Sequence, residues 1–426
     1  MSPIAVLLIL FFVTLFIGVP FAWSLTISCV ASLCMMSGYP LMTVVQKMYN
    51  GGAKYTLLAI FFFMLAGAIM QHGGISSRLV NFSKALLGHI RGGLSIAVLG
   101  VCMMFAALSG SSIATTAAIG GMMYPELVKE KYPEGYAAAL PVAGGTLGIV
   151  IPPSIVFVVY GATTGTSVSK LLMSGVIPGV MAGGFLCIYA FFFSRKHNIP
   201  KSDRFDMKRL AVAFKESVWA LLMPIIILGG IYSGLFTPTE SAAVAVVYGL
   251  FVAVFVHREM TPDKLFRISI DAVKGTANIL LLIMAASMFG YVLTVYQFPA
   301  LFTELMSTFI SGRITFLLFL NILLIILGML MDSGAIILII APLVYPMAVS
   351  FGIDPVHLGC IIVFNLAVGQ ATPPFGNCLF AAIPATGQDI LTLAKNALPF
   401  IVILFATVFL VSYVPVFSML LPSMMK

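Results

Sequence analysis

Charge is what this sequence has least of. Only 8% of its 426 residues are Asp, Glu, Lys or Arg, against about 25% in a soluble globular protein. With 61% hydrophobic residues and a mean hydropathy of +1.12, no polar region is long enough to fold as a separate soluble domain. The net charge of +8 therefore lacks the soluble basic module that nucleic-acid binding uses; the excess of Lys and Arg in cytoplasmic loops of membrane proteins accounts for it. Cysteines are few: the six (Cys29, Cys34, Cys102, Cys187, Cys360, Cys378) sit singly in apolar segments. With no C-x-x-C pair and no His at ligand spacing, they point to neither a transition-metal centre nor a redox pair. The G-x-x-x-x-G-K-[ST] pattern is missing, so this chain consumes no ATP.

What remains is a string of apolar runs of membrane-spanning length, with phospholipid as their solvent. The first 36 residues lack the basic stretch and small-residue cleavage site of a secretory signal, so they read as one retained segment kinked at Gly18-Val19-Pro20. Three basic stretches orient the rest. They are 72–93 (Arg78, Lys84, Arg91), 194–215 (Arg195, Lys196, Lys201, Arg204, Lys208, Arg209, Lys215) and 257–267, all placed on the cytoplasmic side. The short charged loop with Lys129 and Lys131 joins them, so 94–124 enters and leaves on one side as a re-entrant hairpin. Its tip is "SGSS", in the stretch "ALSGSSIATTAAIG", which carries three serines and two threonines between apolar runs. Continuing the count, 276–297 leads to a polar linker around Glu304 and Arg313. The stretch 314–349, broken at "MDSGA" (331–335), then forms a second hairpin from the opposite face.

An internal repeat supports this. Sliding the sequence against itself without gaps pairs Ser112 with Ser333, Tyr124 with Tyr345, Gly148 with Gly369, and Pro125, Pro152, Pro153 and Pro178 with Pro346, Pro373, Pro374 and Pro399. Chance would pair about 0.3 prolines over this span, and prolines mark backbone breaks rather than mere hydrophobicity. Each half thus holds a hairpin tip and a Gly/Pro break in the next crossing segment, "AGGTLGIVIPPS" and "AVGQATPPFGN". Paired interruptions of this kind point to a midplane site in a secondary transporter. Unwound carbonyls and hydroxyls there replace the water shell of a sodium ion, while half-helix N-termini face an anion. Asp332 stands at the second tip, where an ionisable group is costly and functional by default; a helix-capping role is compatible with that. The "SGSS" run also suits close helix packing, and Thr115 and Thr116 suit hydroxyls returned to the preceding turn of their own helix.

Other functions stay open on these residues. A channel uses carbonyl-lined breaks too, and a passive scaffold leaves Asp332 unexplained. An intramembrane hydrolase needs a base, for which His357 is the candidate partner of Ser109 or Ser112. The remaining histidines (His72, His89, His197, His257) lie at loops or segment edges.

The run "ALSGSSIATTAAIGGMMYPEL", the crossing "GGTLGIVIPPS" and their partners "LGMLMDSGA" and "AVGQATPPFGN" resemble the large membrane subunit of tripartite ATP-independent periplasmic (TRAP) transporters. The resemblance covers essentially the whole chain and is nearest the sialic acid branch, with the C4-dicarboxylate branch sharing the motifs. It implies an all-α polytopic fold of inverted-topology repeats with two re-entrant hairpins and two broken helices, forming one membrane domain over 1–426 in the bacterial inner membrane. It further implies an elevator mechanism, in which 94–165 and 314–385 belong to the moving part and the remaining segments are mainly scaffold. Sodium as coupling ion, no organic cofactor and no catalytic group follow. The expected partners are a small membrane subunit, a periplasmic binding protein and an organic acid anion such as sialic acid. By motif position, one sodium is held by Ser109, Gly110, Ser111 and Ser112 with Gly145, Thr146 and Gly148. A second is held by Asp332, Ser333 and Gly334 with Gly369, Ala371 and Thr372. Ser112, Thr146, Pro152, Ser333, Pro373 and Asn377 are the candidates for solute contact.

Overall fold

Lipid offers no partner to a backbone N–H or C=O, so apolar runs of this kind become helices. The computed structural model describes residues 3–35, 40–199, 205–307, 310 and 312–425, and within them every regular element is helical. Lys201 and Arg204 of the second basic stretch lie outside the described residues. Among the described residues, eight helices are long and apolar enough to cross a membrane.

The amino-terminal segment is two helices rather than one kinked one. α1 (Pro3–Phe16) and α2 (Phe21–Cys34) pack against each other, and the Ser32 hydroxyl donates to the Pro3 carbonyl at 2.8 Å, closing an antiparallel pair. Gly18, at φ +90°, supplies the left-handed conformation that the reversal needs. Next come α3 (Met42–Gly52), α4 (Leu58–His72) and the amphipathic α5 (Ile75–Leu87) within the first basic stretch.

The first repeat follows: α6 (Gly93–Ser109), α7 (Ser112–Lys129), α8 (Glu134–Gly145) with a 3-10 turn (Thr146–Ile149), α9 (Ile155–Thr164), α10 (Val168–Ser174) and α11 (Val176–Lys196). α12 (Met207–Tyr232), α13 (Pro238–Phe251), α14 (Pro262–Val295) and α15 (Phe298–Ser307) separate it from the second. Glu304 therefore stands on a helix, not in an irregular linker. The second repeat is α16 (Arg313–Leu330), α17 (Ser333–Ser350), α18 (Pro355–Gly369), α19 (Asn377–Thr386), α20 (Ile390–Tyr413) and α21 (Val416–Met424). α7 and α17 begin and end at repeat-equivalent residues, so the sequence register is also the structural one.

Both hairpins return to the side they start from. Lys84 on α5 pairs with Glu126 near the end of α7 at 2.9 Å, which holds the far end of the first hairpin beside the basic stretch that precedes it. In the second, the rings of Phe316 and Phe351 lie 5.6 Å apart, bringing the start of α16 to the end of α17. The halves interlock: α7 packs on α8 and on α19 of the other half, while α17 packs on α18 and on α9. α4 and α14 pack on each other, and they also touch α6 and α17 respectively.

Candidate functional site

The first tip is a two-residue interruption with a local cause. Gly110 takes φ +61°, ending α6, and Ser111 is extended, its hydroxyl accepting from the Ala114 N–H at 3.3 Å to cap α7. A Cβ on Gly110 would also lie 2.7 Å from the Pro153 carbonyl oxygen, so only glycine meets both the conformation and the approach. At the second tip Met331 and Asp332 are extended, and Asp332 Oδ2 accepts from the Gly334 N–H at 2.9 Å. Asp332 is thus a helix cap, and it is exposed on the cavity wall as well.

The first set of sequence-derived sodium residues comes together. A Cβ on Gly148 would fall 2.5 Å from the Ser111 carbonyl oxygen, and one on Gly145 would fall 1.8 Å from Thr116 Oγ1 and 3.2 Å from the Ser112 carbonyl. The Ser112 hydroxyl donates to the Thr146 carbonyl at 3.3 Å, whereas the Thr146 hydroxyl turns back to Ala143 at 2.7 Å. Of the two threonines, Thr115 does return to its preceding turn, at 2.8 Å to the Ser111 carbonyl, and also meets Ser109 Oγ at 3.0 Å. Thr116 does not: its buried hydroxyl has no hydrogen-bond partner among the described residues.

The second set is arranged differently. Gly369 presses on Gly328 of α16, a Cβ there meeting that backbone at 2.7 Å, and the Thr372 hydroxyl donates to Val368 at 2.8 Å; Ala371 is fully buried. The link from tip to break is Gln370, whose amide donates to the Ser333 hydroxyl at 2.7 Å. Sequence reasoning passed over Gln370, although a carboxamide inside "AVGQATPP" was the available signal.

Both tips open on one cavity of about 310 Å³, bordered by Ser109 to Ala114 from the first half and by Asp332, Ser333, Gly334 and Gln370 from the second. Of the solute-contact candidates, Ser112 and Ser333 border it. Thr146, Pro152, Pro373 and Asn377 are not among its lining residues. His357, the candidate base for a hydrolase, is buried with both ring nitrogens engaged elsewhere, by Ser418 Oγ at 2.7 Å and the Ser412 carbonyl at 3.2 Å. It borders no part of this cavity.

The chain is 42% identical over 400 residues to the C4-dicarboxylate TRAP transporter large permease protein DctM of Pseudomonas aeruginosa, covering 94% of each. It is 34% identical over 413 residues to the sialic acid TRAP transporter large permease protein SiaM of Vibrio cholerae, covering 96% of each. The dicarboxylate permease is thus the more similar of the two, against the ordering drawn from the motifs. Among solved structures, the Alcanivorax borkumensis YdaH transporter shares the fold at a TM-score of 0.64 and 16% identity, over 89% of this chain and 87% of that one. Residues 8–417 match the model of the tripartite ATP-independent periplasmic transporter DctM component, so the chain belongs to the TRAP transporter large permease family, a multi-pass inner-membrane transporter subunit.

Proposed function

We propose that this subunit imports a small organic acid anion in symport with sodium, working with a small membrane subunit and a periplasmic binding protein that delivers the solute. The observation that carries the reading is the shared cavity: two helix N-termini from opposite halves face it, and such ends attract an anion. Asp332 beside them would repel that anion unless a cation neutralises it, so the cavity favours binding both together. For the first sodium, the Ser111 and Ser112 carbonyls, the unpartnered Thr116 hydroxyl and the close-packed Gly145 and Gly148 supply hard oxygen donors with little steric bulk. For the second, Asp332 and Ser333 are the donors at the tip, backed by Gln370. The hairpins and broken helices then move as a body past α4 and α14.

Greater identity to the C4-dicarboxylate permease than to the sialic acid one supports testing a C4-dicarboxylate first and sialic acid second. The test is uptake of succinate and of sialic acid into proteoliposomes, leaving out in turn the binding protein, the small subunit and the sodium gradient. Uptake is expected to stop in each case. Gradient-independent uptake would overturn sodium coupling, and single-channel currents would replace the transporter by a pore.

A further inference from the structure

The cavity has two unlike walls. The hairpin side carries most of the polar groups, with three serines of the first tip, Asp332, Ser333 and Gln370 set among Ile113, Ala114 and Leu338. The opposite side comes from α4 and α14, and there Met64, Gly67, Ala68, Ile279 and Leu282 offer no hydrogen-bonding side chain. Gln71 is the exception. Met64, Gly67, Ala68 and Gln71 follow the i, i+3, i+4, i+7 spacing of one helix face, so Gln71 ends a single stripe that runs about 10 Å along α4. It stands in the last turn, next to the basic stretch at 72–93 and therefore toward the cytoplasmic end.

The register of this stripe is fixed by a close approach. A Cβ on Gly67 would lie 3.1 Å from the Leu108 carbonyl oxygen and 3.1 Å from Ser109 Cα, so α4 lies directly against the first tip. One turn further on, Gln71 is half-buried and its side chain makes no hydrogen bond among the described residues. Gln370, the other carboxamide on the cavity, is occupied by Ser333. The Gln71 carboxamide thus faces the cavity with its donors open to a solute, at little cost because it is only half-buried. A smooth apolar wall lets a polar cargo slide past without being held; one amide at its cytoplasmic end gives a single place to hold it.

We propose that Gln71 is a solute-recognition residue on the α4 wall, its amide donating a hydrogen bond to the carboxylate of the transported organic acid at the cytoplasmic end of the cavity. The contact is made only while the hairpin body stands against this part of α4, so it sets the affinity of the inward position and the ease of release. This rests on the transport reading above.

The test uses the intact transporter with both partners in proteoliposomes, with succinate as probe. Solute counterflow is measured against internal succinate, and uptake against external sodium. Gln71→Met keeps the volume and removes the donor; Gln71→Glu replaces it by a like charge. Gln71→Met is expected to raise half-saturating internal succinate about tenfold, the loss of one hydrogen bond to a charged group, with half-saturating sodium unchanged. Gln71→Glu should raise it further, and Gln71→Asn should restore part of the loss. Unchanged internal half-saturation in both Gln71→Met and Gln71→Glu overturns the proposal while wild-type sodium-dependent uptake stands. A uniform fall in rate with sodium and succinate half-saturation both unmoved makes Gln71 structural and overturns it as well. Sodium-independent uptake by the wild type would instead remove the transport reading itself.

Discussion

Replacing Asp332 by Asn separates charge from architecture, because Asn caps a helix about as well as Asp and the bond to the Gly334 N–H survives. The cavity of about 310 Å³ has the volume of a sphere about 4 Å in radius, which puts an anionic solute within about 5 Å of the Asp332 carboxylate. At an effective dielectric of about 20, that like-charge pair repels by about 3 kcal/mol. Asp332 is exposed, so solvent screening lowers the figure to about 1.4 kcal/mol, a factor of about ten in solute binding. On the proposed symport reading, sodium bound there would cancel the repulsion and make the two ligands depend on each other. In Asp332→Asn, solute binding without sodium is expected to rise about tenfold, while half-saturating sodium for uptake rises because its site has lost a formal charge. Ser111→Ala removes only a capping hydroxyl and leaves the carbonyls at the first site, so its sodium curve should shift less. The assay is succinate uptake and binding against sodium concentration in the reconstituted three-part transporter. Equal sodium titrations for the two variants would refute the reasoning.

Gly148→Ala puts a methyl 2.5 Å from the Ser111 carbonyl and is expected to cost about 1–3 kcal/mol by overpacking, with uptake falling in step. Gly121→Ala, with nothing within 4 Å, should leave uptake intact and raise the melting temperature, having gained up to about 1 kcal/mol of helix propensity. His357→Gln loses ring bonds that join α18 to Ser412 and Ser418, so thermal stability drops by about 1–3 kcal/mol while sodium-driven uptake persists; a well-folded variant without uptake would give His357 a chemical role. Lys84 holds the Glu126 carboxyl below its ordinary range, chiefly through their hydrogen bond. A depressed carboxylate stabilises the fold above its ordinary pKa and loses that contribution as pH falls through the lowered value. With Glu126 46% exposed the pair is worth under about 1 kcal/mol, so Lys84→Met should flatten only the acid end of a melting-temperature profile.

How much of this was legible in the sequence follows from where each feature gets its cause. The hairpin tips were legible because glycine, serine and aspartate interrupt apolar runs, and interruption is a local property: Gly110 and Asp332 end and cap helices with their own backbone and side chain. The register of the halves was legible because prolines repeat with it. The same Gly-Val-Pro sequence, by contrast, serves as a kink or as a reversal depending on whether α1 and α2 pack on each other, which no local pattern states. Helix faces were hidden for a physical reason: a helix with protein on one side and lipid on the other is apolar all round, so periodicity does not mark which side is which. Thr115 and Thr116 are adjacent and alike in sequence, yet one bonds its own helix and the other faces Gly145. Nor does repeat symmetry carry contacts across. Gly148 and Gly369 correspond in register, but Gly148 clasps the tip of its hairpin while Gly369 clasps Gly328, and the second tip is tied down by a side chain, Gln370, where the first half has Ile149. A hydroxyl-to-amide tether can be broken and remade as Ser333 takes up a cation, whereas a tip packed on glycine backbone cannot shift without opening the hairpin. Of the two proposed cation positions, the one at Asp332 is therefore the one whose filling would loosen a tether on the cavity wall.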